Sequence, residues 1–122
     1  VTADRTPALT VQVSTVPEAV VVTAAGALDF GTAPVLRVRA RAALASPPEA
    51  LIVDLAGITF CGSAGLQVIA ELAAAAKATN LPFALVTEGR AVLRPLQLTR
   101  LDAGLALHPT VTGARAWLRQ LS

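Results

Sequence analysis

Residues 9–16, LTVQVSTV, alternate apolar and polar side chains, the period of a strand buried on one face. Pro17 and Glu18 supply a turn. The β-branched run AVVVTAAGAL (19–28) then predicts a second strand, paired with the first as a hairpin. Asp29, Gly31 and Thr32 break the pattern. Thr32 is placed to cap a helix, with Pro34 in the first turn, where a missing N–H costs little. That helix runs through VLRVRARAALA (35–45), with Val35, Leu36, Ala40 and Leu44 on its apolar face and Arg37, Arg39 and Arg41 on a solvated one. SPPE (46–49) stops it.

ALIVDL (50–55) is almost continuously apolar, as expected of a central strand covered on both faces. LQVIAELAAAAKA (66–78) places Leu66, Ile69, Ala70, Ala73 and Ala76 or Lys77 at helical spacing, and NLP (80–82) ends it. FALVT (83–87) reads as a core strand, and AVLRPLQL (91–98) as a short helix that Pro95 bends or ends. GLALHP (104–109) gives a last strand. Thr110 or Thr112 caps a final helix with Ala114, Trp117, Leu118 and Leu121 on one face, Trp117 being core. The order ββαβαβαβα predicts an α/β fold of about four helices on a mixed, mostly parallel sheet, with the N-terminal hairpin as its antiparallel edge. A chain of 122 residues supports one substantial core and not two, so a single domain over 1–122 is expected, with 1–8 flexible.

Composition narrows the function classes. More than half of the residues are apolar and aromatics are scarce, so the core is built from Val, Leu, Ile and Ala, and intrinsic disorder is excluded. The formal charge is +2, and the arginines, nine of the ten basic residues, are scattered along the chain; no nucleic-acid partner is expected. No apolar run reaches the roughly 18–20 residues that span a bilayer, which argues against membrane insertion. The start of the sequence lacks a signal-peptide pattern, and one cysteine allows no internal disulfide, so the expected location is cytoplasmic. One Cys, one His and no carboxylate cluster give no metal site, and no glycine-rich nucleotide motif occurs.

The remaining chemistry lies in Cys61-Gly62-Ser63-Ala64-Gly65, between two apolar runs. A serine at a strand-to-helix turn suggests a nucleophile elbow, but Cys61 stands where the first glycine of Gly-x-Ser-x-Gly belongs, and a triad would have to draw on Asp102 and His108. Alternatively, Ser63 is an N-cap. A cap alone does not require Gly62, Ala64 and Gly65 together. Three such small neighbours leave the hydroxyl uncovered, which suits a partner surface or a modifying enzyme.

GALD (26–29), LIVDLAGITFCGSAGL (51–66) and LPFALV (81–86) together resemble the STAS domain of anti-sigma factor antagonists, over nearly the whole chain. Asp54, Leu55, Phe60, Ser63, Gly65 and Leu66 match the most specific stretch of that family. The resemblance implies a binding switch and not an enzyme. Its partner would be an anti-sigma factor of the serine-kinase type, which brings the ATP, so the chain itself needs no cofactor. Ser63 would be the phosphorylated residue, and Asp29, Gly62, Ser63, Ala64, Gly65 and Leu66 the contact surface, together with the exposed side of the helix from 66 to 78. Two positions depart from the family. Gly62 replaces an aspartate and Ala64 a second hydroxyl residue, which leaves Thr59 as the nearest other acceptor. A non-enzymatic adaptor subunit of a membrane transport ATPase or of a stress-signalling assembly is the alternative, and self-association is left open. Cys61 is expected to be a small core residue rather than a redox centre. Asp29 is expected chiefly to cap the first helix, and Asp54 to end the central strand and anchor the loop after it.

Overall fold

A computed structural model of the chain describes residues 8–45 and 48–121; the expected flexibility of 1–8 falls almost entirely outside that range, as does part of the SPPE stop. The elements are β1 (Leu9–Val16), β2 (Ala19–Leu28), α1 (Ala33–Ala45), β3 (Leu51–Cys61), α2 (Ser63–Ala78), β4 (Phe83–Val86), α3 (Arg90–Leu98), β5 (Ala106–His108) and α4 (Val111–Leu121), with a 3-10 turn at Leu101–Gly104. The strands lie in sequence order, β1-β2-β3-β4-β5. β1 is antiparallel to β2, and the other pairs are parallel. Strand alternation sorts the core into two layers. Leu51, Val53 and Leu85 face Leu36, Ile69, Leu72, Val92 and Leu96 of the first three helices, whereas Ile52, Ala84 and Val86 face Ala114 and Leu118 of α4.

The expected hairpin, element order and four helices are present. The main departure is β3, which continues through GITFC instead of ending at Leu55. Its upper half still pairs with β2, past two register irregularities, with Ala27 opposite Phe60 and Leu28 opposite Cys61. Asp54 therefore lies mid-strand, and its Oδ1 accepts the Ala56 N–H at 3.0 Å beside the first irregularity. A bulge keeps the ladder going where the apolar run stops, which periodicity alone did not show. Thr59 likewise sits on the strand, its hydroxyl donating to the Gly26 carbonyl.

Smaller departures have local causes. Val35 and Leu121 are exposed, because the buried stripes of α1 and α4 reduce to Ala33, Leu36, Ala40 and to Ala114, Leu118. Trp117 is half-buried, tilted against the His108 ring with centroids 5.4 Å apart. The arginines of α1 are not merely solvated: Arg37 and Arg41 pair with Glu71 of α2, and Arg39 donates to the Val11 carbonyl. Pro95 lies inside α3 without ending it. Thr87 falls just beyond β4, and Thr110, not Thr112, caps α4 through a bond from the Gly113 N–H. At the other end of α2, Asn80 is left-handed and Leu81 donates to the Ala76 carbonyl, the 6→1 closure of a Schellman motif.

Candidate functional site

The overshoot of β3 builds the site. Asp54 pairs with Val86, and Val86 with His108, so these three share one row across the sheet. β3 runs seven residues beyond that row, roughly 20 Å at the rise of a strand. It carries Cys61 and the start of α2 past that row, beside the end of β2 and the start of α1. His108 stays behind with the row. The Ser63–His108 triad is therefore excluded by register, and the nucleophile-elbow reading with it.

Two helix starts meet at this end. At α1, Asp29 and Thr32 close a reciprocal pair: the Thr32 N–H donates to Asp29 Oδ1 at 3.0 Å, and the Asp29 N–H to Thr32 Oγ1 at 2.9 Å. The Gly31 N–H also reaches Asp29 Oδ1, and the Thr32 hydroxyl donates to the Ala27 carbonyl at 2.6 Å. This is the bonding of a capping box with the aspartate as cap. Both residues expected to cap α1, Asp29 and Thr32, thus contribute; Thr32 directly precedes the helix, and its hydroxyl points back to the chain before it. The carboxylate of Asp29 is thus committed to the turn and positions the loop.

At α2 the cap residue is Gly62 and not Ser63. Gly62 is extended and supplies no side-chain bond, and Ser63 is the first residue of the helix. The start is held by backbone alone: the Gly62 N–H donates to the Leu28 carbonyl at 2.9 Å, and the Leu66 N–H to the Gly62 carbonyl at 3.1 Å. Ser63 is exposed. The first turn holds no acidic residue, so the unsatisfied N–H groups and the positive end of the helix dipole face outward.

The small residues around Ser63 act in different ways. Gly65 is buried; a Cβ there would lie 2.9 Å from Cys61 Sγ and 2.9 Å from Leu28 Cβ. Expected on the contact surface, Gly65 instead lets α2 sit down on β2 and β3. Leu66 is half-buried against the main core, so it too is directed chiefly inward. Cys61 is buried beneath the helix, and burial pushes its thiol up to about 11, the opposite of an activated thiolate.

What remains at the surface is compact. Phe30 is 89% exposed and Phe60 is 55% exposed, the one following β2 and the other ending β3 beside Gly62. A groove of about 330 Å³ runs between the helix starts, lined by Phe30, Ala33, Pro34, Arg37, Ala64 and Gln67. Of the serine turn, Ala64 lines the groove, next in sequence to Ser63; Asp29 supports the loop that carries Phe30. Phe30 was not singled out in the sequence, and Pro34 was read only as a first-turn proline. A large apolar residue immediately after a strand-ending Asp was the available signal for Phe30. Among the described residues no group of three or more His, Cys, Asp or Glu side chains is arranged to hold a metal, and no helix is long and apolar enough to cross a membrane.

This chain belongs to the STAS family: the model for "Mlab, STAS domain" matches residues 11–109. It is 32% identical over 94 residues to the anti-sigma-F factor antagonist RsfB of Mycobacterium tuberculosis, covering 74% of this chain and 76% of that protein. A crystal structure of an anti-sigma factor antagonist from Mycobacterium paratuberculosis superposes with a TM-score of 0.82 at 34% identity, covering 91% of this chain and 94% of the other. The anti-sigma factor antagonist SpoIIAA in its unphosphorylated form has the same fold, with a TM-score of 0.75 at 18% identity, over 91% of this chain and 97% of its own.

Proposed function

We propose that this chain is an anti-sigma factor antagonist: one STAS unit, not an enzyme, that acts in the cytoplasm by binding an anti-sigma factor of the serine-kinase type and thereby frees a sigma factor. Phosphorylation of Ser63 ends the binding. The observation that carries this reading is the position of Ser63, exposed as the first residue of a helix without a side-chain cap, between Gly62, which meets the Phe60 ring, and Ala64, which shares a groove with Phe30. A phosphate there adds roughly −1.5 to −2 charges where the helix end favours negative charge, so the fold tolerates it. A partner packed on the two rings and the groove is repelled and loses its apolar contact. Binding changes while the fold persists. Relatives named as antagonists support the same assignment.

The test is capture of a kinase-type anti-sigma factor from the source cell by the wild type, Ser63→Ala and Ser63→Glu. Wild type and Ser63→Ala should retain it and Ser63→Glu should lose it, with ATP releasing the wild type but not Ser63→Ala. Equal retention by all three, ATP included, would replace the switch by a fixed adaptor contact.

A further inference from the structure

β1 is an end strand of the sheet, and among the described residues no other strand pairs with its outer edge. The Ala27 N–H donates to the Ala8 carbonyl, and the β1–β2 register continues the same pairing, with Thr10 opposite Ala25, Gln12 opposite Thr23 and Ser14 opposite Val21. In an antiparallel ladder, hydrogen-bonded pairs alternate with non-bonded ones. The even residues of β1 thus spend their backbone groups on β2, and Leu9, Val11, Val13 and Thr15 direct theirs outward. The Arg39 bond to the Val11 carbonyl, at 3.3 Å, fits that parity.

Edge strands are normally blunted by charge, proline or a bulge. β1 contains neither a charged residue nor a proline, and its register with β2 is unbroken over all eight residues. Val13 is exposed at its middle. Arg39 fixes which flank of α1 overhangs this edge, and Val35 and Val38, both exposed, are respectively one turn before and next to Arg39.

We propose that β1 is a self-association surface, which joins a second copy of this chain as an antiparallel β1–β1 pair about a two-fold axis. An antiparallel edge is complementary to itself, so an identical strand satisfies it without a dedicated partner. Setting Leu9 opposite Thr15 and Val11 opposite Val13 uses all four outward residues and sets each exposed Val13 against the half-buried Val11 of the other copy. A carbonyl accepts two hydrogen bonds, so Arg39 need not leave Val11. Its charge nevertheless approaches its counterpart across the axis, and Arg39 restrains the contact. One strand edge and a few valines make an interface smaller than the roughly 800 Å² per partner of a standard complex, so the dimer is weak and concentration-dependent. The Ser63 surface stays open in each copy.

The test is sedimentation of the 122-residue chain across a concentration series up to about 1 mM, with hydrogen exchange read at single amides. The wild type should dimerise, and the amides of Leu9, Val11, Val13 and Thr15 should slow with concentration while those of Thr10, Gln12 and Ser14 stay unchanged. Val13→Lys should abolish dimerisation without altering the melting of the monomer, because its side chain is exposed and its β2 ladder is untouched. Arg39→Ala should tighten the dimer several-fold, and added salt should do so in the wild type alone. A wild type that stays monomeric throughout, or a Val13→Lys variant that dimerises equally well, overturns the proposal.

Discussion

The starts of α1 and α2 stand side by side at one end of the sheet and are finished in different ways. At α1 two side chains, Asp29 and Thr32, answer each other's N–H groups, and a third donor from Gly31 is also taken. At α2 the cap is a glycine, no side chain contributes, and the helix is tied down by backbone bonds and by the close seat of Gly65. Local chemistry stabilises the first start, and packing beneath the second leaves its outer surface uncommitted. A helix end already satisfied by its own carboxylate has little to offer an added phosphate. An open one can accept that charge without cost to the fold.

The contrast breaks most severely at Gly65. Gly65→Leu drives a branched side chain into Cys61 and Leu28, both buried, and neither strand can retreat without disturbing its ladder. Overpacking of this kind costs about 1–3 kcal/mol, and the upper end is expected here because the first atom already collides. Urea denaturation should show it as a lower midpoint at unchanged slope. Asp29→Ala comes next. It removes the acceptor of two N–H groups at α1 and should cost about 1–2 kcal/mol; Asp29→Asn, which keeps an oxygen acceptor, should restore most of it. Loss of partner binding in Asp29→Ala but not in Asp29→Asn marks the residue as a support of the Phe30 loop rather than a contact.

Much of this arrangement could be read from the chain, and the exceptions share a cause. β1 and β2 were legible to the residue because alternation and β-branching act locally, as was Cys61 as a buried thiol. The upper half of β3 was not: GITFC carries a glycine and a polar threonine, and its extended form depends on pairing with β2 across register irregularities. At the serine turn the cap of α2 was placed one residue late, at Ser63 rather than Gly62, whereas Asp29 and Thr32 at α1 were both expected as caps. Hydroxyls favour cap positions in general, whereas the α2 start is held by backbone bonds alone, from the Gly62 N–H to the Leu28 carbonyl and from the Leu66 N–H to the Gly62 carbonyl. Gly65 looked like part of an exposed knot because small residues are equally suited to open surface and to close packing, and only the depth of the site separates the two.

Cys61 sharpens the comparison through pH. Its thiol is raised from 9.0 to about 11 by burial under α2. A group raised on folding contributes stability that is whole below the unfolded value and is lost as pH rises through the folded one. Stability should therefore fall between pH 9 and 11 by about 2–3 kcal/mol at most, and Cys61→Ala should flatten that limb. Accelerated thiol labelling at neutral pH in the native state would contradict the buried, inert role.

The smallest effect is the most informative about the open helix start. Gly62→Asp installs at α2 the kind of cap that α1 already has. A Cβ at position 62 would approach Phe60 Cε2 at 3.3 Å, and that ring is exposed enough to give way. Replacing a glycine cap by aspartate yields only a few tenths of a kcal/mol, visible as a small rise in melting temperature. The rise should be larger at low salt, where charge at a helix end counts most. The same carboxylate would compete with a phosphate on Ser63 for the first-turn N–H groups. Ser63→Glu alone should stabilise the chain by about 0.3–1 kcal/mol, and in the Gly62→Asp background that gain should vanish or change sign, since two like charges would share one helix end. If the two substitutions instead add independently in a thermal double-mutant cycle, the α2 start is not a single open site, and its difference from α1 is one of sequence without electrostatic consequence.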